Sequence, residues 1–236
     1  MNIGTKFIFG LPGILLSGLL FVNAVRADTG PPPPPPGHGL TPFQIKVFLQ
    51  GFYQGDGLMR CAKDHDGTDV FYRFANPIAE RITIELHTPG QYGEEGFTFA
   101  ITDVNLLNNG WAVADLPSEG IYYITIKTRN HLETVSSDPI DFALSPREYN
   151  FTDAAGKAFG SNQLQLEPGV FGIYAGDIDN NLLVNILDLN PVIENVRNNI
   201  TGYVEEDVNG DGLLNILDIN LIIGNIRADV NAVTPE

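Results

Sequence analysis

From Thr41 the chain alternates apolar and polar residues with a period of two. Phe43, Ile45, Val47 and Leu49 fall on one face of a strand, with Gln44, Lys46 and Gln50 on the other. Ile82, Ile84 and Leu86 repeat the habit against Arg81, Thr83, Glu85 and His87. Runs from Phe97, Trp111, Ile121 and Ile140 continue it. Turn residues separate these runs: Pro89-Gly90, Asn108-Asn109-Gly110, Pro117-Ser118-Glu119-Gly120 and Asp138-Pro139. Short alternating strands at such spacing predict an antiparallel β-sandwich over residues 42–152, each sheet with one face in water.

From about Val170 the period becomes helical. The stretches "VNILDLNPVIENVR" and "LNILDINLIIGNIR" carry apolar residues at helix spacing, each directly behind an acidic loop. Aligned from Asp177 and from Asp207, ten of 21 positions are identical, which marks an internal duplication. The fold class expected is mainly β with a small α module: the sandwich, then two loop-helix repeats over 170–229.

The loops carry oxygen ligands at the positions a calcium ion needs. Calcium takes about six to eight oxygens at about 2.3–2.6 Å, and a loop of about twelve residues supplies them from positions one, three, five, seven, nine and twelve. The second copy offers Asp207, Asn209, Asp211, the Leu213 carbonyl, Asn215 and Asp218, with Gly212 at the tight sixth position. The first offers Asp177, Asp179, Asn181, the Leu183 carbonyl, Asn185 and Asp188. Its sixth position is Leu182, where a left-handed turn costs about 1–2 kcal/mol. Pro191 also falls inside the following helix and removes one of its hydrogen bonds. Two calcium sites are therefore expected, the first weaker than the second. The absence of His and Cys from both loops argues against transition metals. The alternative is a pair of capped helices, since Asp and Asn before a helix are good caps. Capping alone does not account for oxygens at every second position, twice.

Two calcium loops closing on Asp, each followed by one helix and spaced about thirty residues apart, resemble a dockerin module over residues 172–227. The resemblance implies a duplicated half EF-hand that docks a secreted protein onto a cohesin domain. Dockerins commonly place small hydroxyl residues after the ninth loop position; here Ile186-Leu187 and Ile216-Leu217 stand there. These four are the candidate partner-binding residues, and they pack between the helices, against the sandwich, or into an apolar partner groove. The stretch over 120–137 is similar to the later strands of sandwich modules that precede dockerin-like pairs in secreted bacterial surface proteins. There, such a pair is a non-catalytic attachment.

The ends and the totals sharpen this picture. Residues 1–27 read as a secretory signal: Lys6, then an apolar run from Phe7 to Val22, then small residues at Ala24 and Ala27. Residues 28–41 are a linker with six consecutive prolines, a stiff extended spacer. A secreted chain at the cell surface or beyond it is expected, with no membrane span once the signal is removed. The net charge of −16 argues against nucleic acid and anionic membranes. With the single cysteine, Cys61, the chain has no internal disulfide and is expected to be stabilised by its core or by metal. The segment "DHDGTD" over 64–69 reads as an acidic turn between strands. Neither a GxSxG turn nor an HExxH helix is present, and a non-enzyme is expected. The function expected is protein–protein attachment, to a cohesin-like domain or to a second copy. The alternatives are a carbohydrate-binding accessory protein, with Tyr53, Tyr72, Tyr92, Trp111 and Tyr122 or Tyr123 as candidate platforms, and a self-assembling structural subunit.

Overall fold

The computed structural model describes residues 39–90, 92 and 98–236, so the expected signal over 1–27 and the proline run lie outside the described residues. The alternating runs become strands. β1 (Leu40–Lys46) is followed by two short hairpins, β2 (Tyr53–Gly55) with β3 (Leu58–Met59), and β4 (Lys63–His65) with β5 (Val70–Tyr72). The long strands are β6 (Ile78–His87), β7 (Phe99–Leu107), β8 (Trp111–Pro117) and β9 (Ile121–Lys127). Short edges β10 (Thr134–Val135), β11 (Ile140–Asp141) and β12 (Glu148–Asn150) follow, then a hairpin of β13 (Leu164–Glu167) and β14 (Val170–Gly172). The two helices are α1 (Ile186–Arg197) and α2 (Ile216–Arg227).

The main sheet runs β10-β9-β6-β7-β8-β1-β12, with β11 also on β9. It is a curled, sandwich-like sheet because β7 and β8 pair only at Leu106 and Ala112, next to their turn. Beyond that seam β6, β7 and β9 form one leaf and β8, β1 and β12 the other. The alternation then buries one side of each leaf: Phe43 and Ile45 of β1 and Leu116 of β8 share a core with Ile82, Ile84 and Leu86 of β6 and Ile124 and Ile126 of β9. Phe43 stacks on Phe142 across the gap, with ring centroids 4.9 Å apart. Each such side chain contributes about 1.5–3 kcal/mol of burial.

Two expectations need correction. The sheet is not wholly antiparallel, since β12 lies parallel to β1, with Gln44, Ile45 and Lys46 opposite Glu148, Tyr149 and Asn150. The antiparallel partner β8 already holds one edge of β1, and the chain reaches the other only after passing β11, so it enters in the same direction as β1. Arg147 clamps this junction by donating to the carbonyls of Thr41 (2.8 Å), Pro117 (2.9 Å) and Leu116 (3.2 Å). Nor is the polar face of β6 wet along its length, because Glu85 and His87 are each only 7% exposed. Glu85 lies 2.9 Å from Lys127 Nζ and 3.3 Å from His87 Nε2, and Lys127 reaches Glu133 at 3.1 Å. Tyr92 covers the group, its hydroxyl donating to Glu133 at 2.6 Å. Mutual pairing of acid and base is what lets this face be covered.

The "DHDGTD" segment is the turn of the β4–β5 hairpin, with Asp66 Oδ1 accepting from Thr68 N and Asp69 N at 2.9 Å each. Cys61 is a buried free thiol.

A second core lies between the helices. Val184, Leu189 and Val192 of the first repeat meet Val208, Leu214 and Ile222 of the second, with Leu132 and Ala175 of the β part joining them. Buried polar groups tie α2 to the sheet: Asn225 Nδ2 donates to Gln50 Oε1 (2.7 Å) and to the Ala175 carbonyl (2.6 Å). Asn225→Ala would take this donor from the buried Ala175 carbonyl and leave Gln50 Oε1 with only the Ala175 N–H, at 2.9 Å. A loss of about 2–4 kcal/mol is expected, seen in urea unfolding as a lower midpoint with an unchanged slope.

Candidate metal centre

The first residue of each loop organises it from below. Asp177 accepts from Asn181 N through Oδ1 (3.0 Å) and from Leu182 N through Oδ2 (3.1 Å). Asp207 accepts from Gly210 N (2.9 Å) and Asp211 N (3.2 Å) through Oδ1, and from Gly212 N (3.0 Å) through Oδ2. Both aspartates are at most 1% exposed.

The last residue closes each loop from above. Asp188 Oδ1 accepts from Ile178 N (2.8 Å) and Asp179 N (3.3 Å), while Oδ2 accepts from Asn185 N (2.8 Å). Asp218 repeats this with Asn209 N (3.3 Å) and Asn215 N (3.0 Å). Asn185 and Asn215 are the helix N-caps, accepting from Leu187 N and Leu217 N at 2.8 Å each. A short Asp reaches back to the loop because the N-cap of its helix lies three residues earlier, which makes cap and loop one structure.

Between them stand the remaining candidates. Asp179 Oδ2 accepts from Asn181 Nδ2 (2.8 Å), and Asn181 Oδ1 accepts from Leu183 N (3.0 Å). In the second loop Asn209 Oδ1 accepts from Asp211 N (2.8 Å), Asp211 Oδ1 from Leu213 N (2.9 Å), and the Leu213 carbonyl from Asn215 Nδ2 (3.2 Å). The sixth position is left-handed in both copies, φ being +72° at Leu182 and +78° at Gly212. Leu182→Gly is therefore expected to stabilise the fold by about 1 kcal/mol, the left-handed penalty less the added chain entropy. A rise in the denaturation midpoint would register it. Gly210 is more constrained: at φ +70°, a Cβ there would sit 2.3 Å from the Phe52 ring.

In the first loop one carboxylate oxygen from each of Asp177, Asp179 and Asp188 lies within 4.8 Å of the others. That is the spread of three oxygens around one ion at about 2.4 Å, inside the calcium range. Burial above all, with neighbouring carboxylates adding to it, pushes the Asp177 carboxyl up to about 6. Burial likewise raises Asp218 to about 6, and Asp207 to about 7 despite the opposing Arg129 charge. Carboxyls that resist ionising beside one another favour a cation between them. The donor set is all oxygen, flexible and acidic, so it fits a hard divalent ion of calcium's size.

The two loops differ in their neighbours, and this was not legible in the sequence. Arg60 Nη1 lies 3.2 Å from Asn209 Oδ1 and 3.4 Å from Asp211 Oδ2. Arg129 and Asn130 donate to the Asp207 carbonyl at 3.1 and 3.0 Å. Lys63 N donates to the Gly210 carbonyl at 3.0 Å. The second loop is thus built against the β part through residues 77 to 149 positions away, a distance at which no local pattern operates.

Ile186, Leu187, Ile216 and Leu217 open the two helices and are 56%, 58%, 59% and 55% exposed. They pack neither between the helices nor against the sheet. No helix among the described residues is long and apolar enough to cross a membrane.

No family model matches the chain, and no curated protein matches it. Among solved structures it is similar to a type II cohesin–X–dockerin complex from Acetivibrio cellulolyticus mutated at its C-terminal interface, with TM-score 0.44 and 14% identity over 82% of this chain and 97% of that one. A counterpart mutated at its N-terminal interface gives TM-score 0.42 and 13% identity over 81% and 97%.

Proposed function

We propose that the chain is a secreted, non-catalytic attachment module whose two dockerin-like loops bind calcium and present paired apolar residues to a protein partner. The observation that carries this reading is the repeat itself: an acidic loop with an exposed Ile-Leu pair directly behind it in each copy, the carboxylates of Asp177, Asp179 and Asp188 converging within 4.8 Å in the first. Asp177, Asp179, Asn181, Leu183, Asn185 and Asp188 would hold one ion. Asp207, Asn209, Asp211, Leu213, Asn215 and Asp218 would hold the other. The ions would add folding free energy, since ligands gathered only in the folded chain couple binding to folding. The apolar pairs suit an apolar groove on a cohesin-like domain or on a second copy.

Calorimetric titration of calcium into the chelator-stripped chain tests the first half. Two equivalents and a higher melting temperature are expected, and no binding would leave only capped helices. For the second half, light scattering with calcium and binding to purified cohesin domains separate self-association from docking. Ile216→Asp with Leu217→Asp should weaken whichever contact is found while leaving the calcium stoichiometry at two. Undiminished association would remove these residues from the partner surface.

A further inference from the structure

Beside the second loop a cavity of about 340 Å³ opens among the short hairpins, lined by Gln54 of β2, Arg60, Lys63 of β4, Tyr72 of β5, Asn76 and Asn108. That volume is in the range of small-molecule sites, about 300–1,000 Å³. Its walls differ from the usual apolar ones. The side-chain amides of Gln54 and Asn108 make no hydrogen bond among the described residues, and Asn76 Oδ1 faces only the Cys61 thiol at 3.9 Å. Lys63 Nζ has no ion-pair partner among them either. Arg60 Nε is buried without a partner. At the rim Tyr72 is 55% exposed, whereas Tyr92, another of the candidate sugar platforms, lies against the His87 ring with centroids 4.3 Å apart.

We propose that this cavity binds a carboxylate-bearing sugar, a uronate residue of an acidic glycan. Unspent amides exchange hydrogen bonds with ring hydroxyls, an exposed aromatic ring covers the C–H face of a pyranose, and Lys63, with Arg60 beside it and no carboxylate in the lining, selects the acid. The basic cavity lined by Arg81, Lys127 and Arg129 makes a useful contrast. Each of its cations is already matched, Arg81 by Asp103 (3.5 Å), Lys127 by Glu85 (2.9 Å) and Arg129 by Glu80 (3.3 Å), whereas in the proposed site Arg60 is matched by Asp211 (3.4 Å) and Lys63 by no acid among the described residues.

Arg60 joins the cavity to the second loop, and this link rests on the calcium reading proposed above. The same guanidinium that lines the cavity contacts Asn209 Oδ1 and Asp211 Oδ2. An ion that takes those oxygens leaves Arg60 uncompensated and adds positive charge nearby. Both effects favour the uronate, and the coupling is reciprocal.

The test uses methyl glucuronide and methyl glucoside as probes of the mature chain, read by the side-chain amide signals of Gln54, Asn76 and Asn108, in calcium and in chelator. Calcium binding is measured separately by calorimetry. The expected result is a saturable response to the glucuronide and not to the glucoside, stronger in calcium. Asn108→Ala and Lys63→Gln, both outside the cores, should each weaken it about tenfold, the scale of one hydrogen bond. Equal response to both sugars, or response to neither, overturns the site even where calcium binds normally. A glucuronide response indifferent to bound calcium keeps the site and overturns the Arg60 link. A response in a chain that takes up no calcium keeps the site and overturns the calcium reading alone.

Discussion

Asp207→Ala is expected to lower the melting temperature by about 10 °C in saturating calcium and to reduce the calcium stoichiometry from two to one. Asp207 is fully buried and accepts the backbone N–H groups of Gly210, Asp211 and Gly212. Alanine leaves the N–H groups of Gly210 and Gly212 without an acceptor, at about 1–3 kcal/mol for each that stays dry, while Asp211 N keeps Asn209 Oδ1 at 2.8 Å. Taking about 4 kcal/mol in all, at about 2–4 °C per kcal/mol for a chain of this size, the shift is about 8–16 °C. The damage should also spread, because the Asp207 carbonyl is the acceptor for Arg129 and Asn130 of the β part. Asp179→Ala in the first loop is the natural control. Asp179 is exposed and accepts only from Asn181, so its loss should cost the ion far more than it costs the fold. A calcium-saturated melt of Asp207→Ala that matches the parent chain would remove the second loop from the stability of the protein.

What could be read from the residues alone follows a physical divide. Period-two alternation at Phe43, Ile82 and Ile124 specifies which side of a strand is buried, and the structure buries those sides. The repeat with its caps is equally local: Asn185 and Asp188, or Asn215 and Asp218, lie three residues apart and find each other through one helical turn. The left-handed turn expected at Leu182 is also present, because loop closure demands it whatever the residue. Contacts made across the fold were hidden. The parallel placement of β12 depends on which edge of β1 is free, and the burial of Glu85 and His87 depends on Lys127, Glu133 and Tyr92 arriving from elsewhere. Arg60 has no signature as a neighbour of Asn209, since 149 positions separate them. Pattern therefore outlines the cradle, while its surroundings come only with the assembled fold.

On the calcium reading proposed above, stability is expected to depend on pH in opposite directions with and without the ion. In the folded chain burial raises the carboxyls of Asp177 and Asp218 to about 6 and that of Asp207 to about 7, against about 3.9 when unfolded. Without an ion the folded state binds these protons more tightly than the unfolded one. Their contribution is complete below about pH 4 and is lost as pH rises through 6 to 7. His131 acts the other way: burial holds it near 4 against about 6.5 unfolded, so it contributes above about pH 6.5 and loses that contribution on acidification. Three carboxyls oppose one imidazole, and each tenfold change in proton affinity is worth about 1.4 kcal/mol, so the carboxyls prevail. In chelator the melting temperature should fall between pH 5 and pH 7.5. Calcium is expected to reverse this, because a bound ion would take the carboxylates in their charged form and protons would compete with it. In millimolar calcium the melting temperature should climb over the same interval, and the two curves should diverge towards neutral pH. Differential scanning calorimetry at four or more pH values, with chelator and with calcium, reads both slopes. Parallel slopes would mean that the buried carboxylates of the two loops do not share an ion.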